Sequence, residues 1–151
     1  MKLIIISNRL PLKIVEENNQ FKVIPSQGGV ATGLDSLETT IEKHWVGCSG
    51  LYIEDDKARK QIDKEMNEHD FHPVHLTPQQ IENYYEGYCN GTIWPLCHYF
   101  TNYVHYDSEM WKEYKKVNAL FAKAALNVIE PGDIVWVQDY QLMLVPGMIR
   151  E

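Results

Sequence analysis

Two charged residues along the chain are placed to hold an anionic, hydroxyl-rich ligand. Arg9 closes the run Lys2-Leu3-Ile4-Ile5-Ile6-Ser7-Asn8-Arg9, and Asp139 closes Asp133-Ile134-Val135-Trp136-Val137-Gln138-Asp139. A guanidinium at a strand end can grip phosphate bidentately; its bland role would be a surface pair with a carboxylate. A carboxylate can accept hydrogen bonds from two sugar hydroxyls, and Asp139 could equally cap the segment after Tyr140. Between them, Gly28 and Gly29 sit in Ser26-Gln27-Gly28-Gly29-Val30-Ala31-Thr32-Gly33, a turn that opens a helix. Such glycines let backbone N–H groups approach a diphosphate at a helix N-terminus, although the same pair also suits an ordinary turn. Trp45, Tyr85 and Trp94 carry apolar faces on which sugars stack and polar handles that hydrogen-bond, yet rings of this kind more often fill a core. A cation, a glycine turn and a carboxylate together suit a phosphorylated sugar.

These residues need a scaffold that brings them to one rim. Short β-branched runs ending in polar residues suit strands covered on both faces, as in a parallel sheet, and ligands of open α/β sheets bind beyond the carboxyl ends of the strands. After the first strand, residues 12–15 and 21–24 read as a hairpin around Glu17-Asn18-Asn19, forming a flap with a polar tip. A helix is expected over 29–42, with Val30, Leu34, Leu37 and Ile41 on one face. Trp45-Val46-Gly47-Cys48-Ser49-Gly50 is a second buried strand with a glycine turn, 55–69 a charged helix, and 71–76 a third strand. Thr77, Pro78 and Gln80 make a capping box for the helix carrying Tyr84 and Tyr85. Pro95 is expected to end the geometry before it. Ser108 is expected to cap a long helix with Trp111, Tyr114, Val117, Phe121, Ala124 and Val128 as its buried stripe, stopped by Pro131-Gly132. The 133–139 strand and an apolar helix over 142–150 follow. Trp111 and Trp136 are assigned to packing.

Composition narrows the partners. The chain has 151 residues, 44% of them hydrophobic, and a net charge of −7 from 21 acidic and 14 basic side chains. One α/β domain with a sizeable core fits this length. An acidic surface attracts neither nucleic acid nor an anionic membrane, so neither is expected as a partner. No apolar stretch is long enough for a membrane span, and the start lacks a signal pattern. Three scattered cysteines, Cys48, Cys89 and Cys97, suit a reducing cytoplasm better than a disulfide framework. His69, His72 and His75 recur every third residue, a spacing that alternates faces on a strand, so no metal is expected. Cys97-His98 reads as packing rather than as a nucleophile and base.

An ordered set of motifs resembles the trehalose-6-phosphate synthase family. It comprises Ser7-Asn8-Arg9-Leu10-Pro11, Gly28-Gly29, Trp45-Val46-Gly47-Cys48-Ser49-Gly50, Tyr84-Tyr85, Trp94-Pro95-Leu96-Cys97-His98-Tyr99, Tyr114, Val117-Asn118 and Val137-Gln138-Asp139-Tyr140-Gln141-Leu142. The set covers essentially the whole chain. Where that family often has His-Asp-Tyr-His, this chain has Gln138-Asp139-Tyr140-Gln141, which keeps the carboxylate and replaces the imidazoles. The resemblance implies an α/β, Rossmann-like, mostly parallel sheet with flanking helices, the N-terminal half of a two-lobed GT-B glycosyltransferase. It implies that residues 1–151 form the acceptor-binding lobe and that a C-terminal nucleotide-sugar lobe is absent from this chain. The implied reaction transfers glucose from UDP-glucose to glucose 6-phosphate with retained configuration, without metal or other cofactor. By the same resemblance Arg9, Trp45, Tyr85, Trp94 and Asp139 bind the acceptor, with Asp139 the catalytic candidate, and Gly28 and Gly29 contact the donor. A homo-oligomer is compatible with this reading. A silent sugar-phosphate-sensing module and a transferase for another acceptor, such as a cyclitol phosphate, are the alternatives.

Overall fold

In the computed structural model, residues 1–17, 20–25, 33 and 41–150 are described. Strand β1 (Leu3–Arg9) forms where three consecutive isoleucines, Ile4, Ile5 and Ile6, favour the pleated backbone and are completely buried. Each fully buried side chain of this kind contributes about 1.5–3 kcal/mol, so the strand is anchored by apolar burial from both faces. It lies inside a four-stranded parallel sheet with β4 (Lys43–Cys48), β5 (Phe71–Val74) and β6 (Ile134–Val137), in the order β5-β4-β1-β6. The chain steps outward from β1 to β4 and β5, then returns to the other side of β1 for β6. That reversal is a topological switch point, and it puts the ends of β1 and β6 side by side.

Period-two alternation splits the core into two layers. Ile4 and Ile6 of β1 face Val46, Val74, Tyr84, Tyr114, Val117 and Phe121. Leu3 and Ile5 face the opposite way, with Trp45, Ile62 and Met66. The hairpin is present as β2 (Leu12–Glu17) and β3 (Gln20–Pro25), paired antiparallel with Leu12 opposite Pro25. Its tip at Asn18 and Asn19 lies outside the described residues, as does nearly all of the helix expected over 29–42. Within that span Gly33 is helical, while Ile41 and Glu42 already lie in the approach to β4.

Helix α1 (Asp56–Asn67) is capped by Asp55, whose carboxylate accepts from the N–H groups of Lys57 and Ala58, and it buries only Ile62 and Met66. Helix α2 (Pro78–Gln80) starts with the expected capping box between Thr77 and Gln80. It then widens into a π-helix over Ile81–Ile93, and Trp94 N–H bonds to the carbonyl of Cys89, five residues back. The sequence led us to expect a strand or loop ending at Pro95, and the structure has helix on both sides of it. Trp94 is helical and Pro95 sits inside α3 (Trp94–Cys97). The Gly91 carbonyl, which a non-proline N–H at position 95 would have used in an α-helix, instead accepts from His105 N–H at 2.8 Å. Helix α4 (Ser108–Leu126) is capped by Asp107, not Ser108, because the Asp107 carboxylate reaches the N–H groups of Glu109 and Met110. It ends at Leu126, ahead of Pro131-Gly132.

Two further expectations change. The last apolar stretch forms a 3₁₀ turn (Tyr140–Leu142) and a single helical turn, α5 (Val145–Met148), with a proline and a glycine in its four residues. Strand β6 is not covered on both faces: it is an edge strand, with Ile134 and Trp136 exposed. Trp136 is therefore no core residue; its indole N–H donates to Gln138 at 2.9 Å. Among the described residues no helix is long and apolar enough to cross a membrane.

Candidate functional site

The pairing of β1 with β4 breaks register at its carboxyl end. Ser7 lies opposite Gly47 and Arg9 opposite Cys48, so Asn8 is an extra residue, a bulge. The Ser7 hydroxyl donates to the Arg9 carbonyl at 2.8 Å and holds that bend. A Cβ on Gly47 would stand 2.9 Å from the Ser7 carbonyl oxygen and 3.0 Å from Leu10 N, so only glycine permits this close approach. The bulge re-aims Asn8 and Arg9 into a cavity of about 310 Å³, whose lining includes Asn8, Arg9, Gly50, Tyr84, Tyr85 and Glu86. The volume suits a small ligand.

Arg9 lies across Gly50. A Cβ at Gly50 would meet the guanidinium at 3.1 Å, and Gly50 has φ +78°, a conformation that L side chains rarely adopt. Glycine there supplies both the turn after β4 and the floor on which the cation rests. Asn8 is fixed from below: the buried Tyr84 hydroxyl donates to its Oδ1 at 2.8 Å. Burial pushes the Tyr84 phenol far above its ordinary range, so it acts as a donor at any physiological pH. Sequence reasoning placed Tyr84 in the family motif but gave no role to Tyr84 or Asn8. The signal was present in Ser7-Asn8-Arg9, where two polar residues precede the cation.

On the other side of the switch point, Asp139 follows β6 with φ 73° and ψ 173°, a region almost reserved for glycine. Its side chain is exposed and accepts from Tyr140 N–H at 2.8 Å, so it caps the 3₁₀ turn and still presents carboxylate to solvent. The strained segment is held by α4. Tyr114 donates to the Tyr140 carbonyl at 2.8 Å and accepts from Met143 N–H at 3.2 Å. Asn118, fully buried, donates to the Tyr114 and Gln141 carbonyls and accepts from Leu144 N–H. Desolvation raises the Tyr114 phenol to about 12, keeping that donor protonated. The Tyr140 hydroxyl then donates to Asn90 at 3.1 Å, tying the segment to the π-helix that carries Tyr85.

The structure thus brings Arg9 and Tyr85 together in one cavity, with Asp139 at the end of the next strand. It does not bring Trp45 or Trp94 there. Trp45 is buried with Leu3, Ile5, Ile62 and Met66, because alternation along β4 turns Val46 and Cys48 toward the cavity layer and Trp45 away from it. Cys48 lines the cavity instead, its thiol raised by burial. Trp94, 41% exposed, stacks on His98 with ring centroids 4.0 Å apart and is not among the lining residues. Gly28 and Gly29 lie outside the described residues.

The model of glycosyltransferase family 20 matches residues 1–151. The chain belongs to glycosyltransferase family 20. Relatives within the family include an alpha,alpha-trehalose-phosphate synthase (UDP-forming) from Yarrowia lipolytica, 41% identical over 98% of this chain and 32% of its own length. Another, of the same name, from Botryotinia fuckeliana is 38% identical over 99% of this chain and 29% of its length. Among solved family members, a synthase from Burkholderia xenovorans in complex with glucose-6-phosphate is 28% identical, with a TM-score of 0.70, over 99% of this chain and 30% of that one. The chain therefore spans about a third of the length of the family 20 proteins it matches. Its parallel sheet with flanking helices is the family 20 GT-B architecture over that portion.

Proposed function

We propose that this chain is the N-terminal, acceptor-binding lobe of a UDP-forming trehalose-phosphate synthase, which transfers glucose from UDP-glucose to glucose 6-phosphate and yields trehalose 6-phosphate and UDP. The observation that carries the reading is Arg9, aimed by the β1 bulge into a cavity shared with Tyr85 and floored by Gly50. A guanidinium above glycine is a phosphate grip, and a phenol beside it suits a sugar. The relative solved with glucose-6-phosphate and the UDP-forming names of the others support the substrates. Asp139, across the switch point, would accept hydrogen bonds from acceptor hydroxyls.

In this role the lobe acts by binding and orientation. Holding the phosphate at Arg9 and the hydroxyls at Asp139 sets the acceptor's attacking oxygen toward the donor, and such positioning is worth several kcal/mol of barrier. The diphosphate of the donor would be clamped by the second lobe, with Gly28 and Gly29 as its contacts from this one. The chemistry calls for no metal or cofactor in this lobe. All three cysteines are free, in keeping with a cytoplasmic setting.

Arg9→Ala in the full-length protein tests the reading. A charge-assisted bond to phosphate is worth about 1.5–3 kcal/mol, so affinity for glucose 6-phosphate should fall roughly tenfold to a hundredfold while that for glucose stays unchanged. An equal loss for both sugars in titration calorimetry would remove Arg9 from the phosphate site.

A further inference from the structure

The polarity of the Asn8 amide is set by the residue beneath it. Tyr84 is completely buried, its ring packed on that of Tyr114 with centroids 5.9 Å apart. Its hydroxyl lies 2.8 Å from Asn8 Oδ1 and has no other hydrogen-bond partner among the described residues. A phenol that accepted from the amide would leave its own proton buried and unpaired, which is costly. The hydroxyl therefore donates, and the amide oxygen is occupied by it. An amide with its oxygen fixed in this way turns its two N–H donors elsewhere. Among the described residues no acceptor engages Asn8 Nδ2, and Asn8 lines the cavity that Arg9 enters.

We propose that Asn8 Nδ2 donates to the phosphate of the acceptor beside the Arg9 guanidinium, with Tyr84 the positioning residue that locks the amide; this rests on the reading of the cavity as the glucose 6-phosphate site. In an unbroken strand Asn8 and Arg9 would point to opposite faces. The bulge between Ser7 and Arg9 brings both side chains to one cavity. Arg9 has no carboxylate partner among the described residues. A guanidinium carries no acceptor and a locked amide shows only N–H, so the pair offers donors alone. A phosphate dianion presents acceptors alone, whereas a sugar hydroxyl carries a proton that needs an acceptor of its own. The pair therefore selects phosphorylated ligands over neutral ones.

The surroundings give the second donor a purpose. Glu86, an exposed carboxylate on the same lining, accepts from Asn90 Nδ2 at 3.3 Å. Its negative charge weakens the cavity's attraction for a dianion, so a donor beside Arg9 has more to offset. Burial holds the Tyr84 phenol protonated at any physiological pH, so the lock on the amide does not titrate with the ligand.

Titration calorimetry of the full-length protein with glucose 6-phosphate and with glucose tests the assignment. Asn8→Asp keeps the shape and an oxygen for Tyr84 but turns an anionic oxygen on the phosphate. Affinity for glucose 6-phosphate should fall at least about tenfold, with that for glucose unchanged within about twofold. Tyr84→Phe keeps the ring and frees the amide to turn over, and should cost the phosphorylated ligand alone roughly threefold to tenfold. The double variant Asn8→Ala/Tyr84→Phe removes both partners and leaves no buried polar atom unpaired. It should lose about tenfold for glucose 6-phosphate and less than about twofold for glucose, and it carries the test if melts show that Asn8→Asp does not fold. Equal losses for the two sugars would make Asn8 a structural residue of the bulge and overturn the proposal. Arg9→Ala, measured alongside, separates the two readings. A selective loss there with none in the Asn8 variants overturns this proposal and leaves the phosphate site standing; no selective loss in any variant overturns both.

Discussion

A residue's type matters at this site only together with the backbone that presents it. Arg9 reaches the cavity because Asn8 bulges and because position 50 has no side chain. Gly50→Ala should therefore act twice. The left-handed conformation costs an alanine about 1–2 kcal/mol, and its methyl group displaces the guanidinium. Melts should show the stability loss, and glucose 6-phosphate affinity should fall with it; a destabilised variant that binds normally would detach Arg9 from the phosphate. Asp139 permits a sharper separation. At φ 73° and ψ 173° it carries strain of about 1–3 kcal/mol that glycine would relieve. Asp139→Gly should fold as well as the parent or better, yet lose activity. Asp139→Asn keeps the cap on Tyr140 but replaces one acceptor oxygen with a donor, at a cost of about 1–3 kcal/mol in acceptor affinity or transfer rate. Kinetics alongside melts read both, and normal turnover in the Asn variant would leave Asp139 as a cap alone.

At the scale of elements, the parts legible in the sequence were those with local causes. The isoleucine run of β1, the capping box before α2 and the apolar stripe of α4 each follow from neighbours within a few residues. The parts missed depend on distant partners. Trp45 faces away from the cavity because the phase of β4 is set by its ladder with β1 and β5. Pro95 is tolerated in a helix because His105 takes the Gly91 carbonyl. Trp136 is exposed because β6 is an edge, which no local run of apolar residues reveals. The ends of β1 and β6 are likewise joined over long range. Asp133, its side chain 2% exposed, accepts from Lys2 N–H at 2.7 Å and Glu130 N–H at 2.9 Å. The Glu130 bond, then the Lys2 bond and charge, hold its carboxyl below the usual range. A depressed folded-state pKa gives stability that is present above the unfolded value, near 4, and lost as pH falls through the folded value. Asp133→Asn should therefore melt below the parent at pH 7, with the gap closing at pH 3. A gap independent of pH would show that the charge is immaterial.

For the whole molecule, one sheet carries two ends with different chemistry. The carboxyl ends gather a cation, phenols and a strained carboxylate around a switch point, and the amino ends gather imidazoles. In the proposed function the first serves glucosyl transfer; the chain spans about a third of the length of the relatives it matches. The proposed function requires this lobe to place glucose 6-phosphate for attack on UDP-glucose. Its most direct test is product analysis, by chromatography and NMR, of the full-length protein incubated with UDP-glucose and either glucose 6-phosphate or glucose. UDP and trehalose 6-phosphate should form in equal amounts with the phosphorylated acceptor, and UDP release with glucose should be far slower. No disaccharide phosphate, or equal rates with both acceptors, would contradict it.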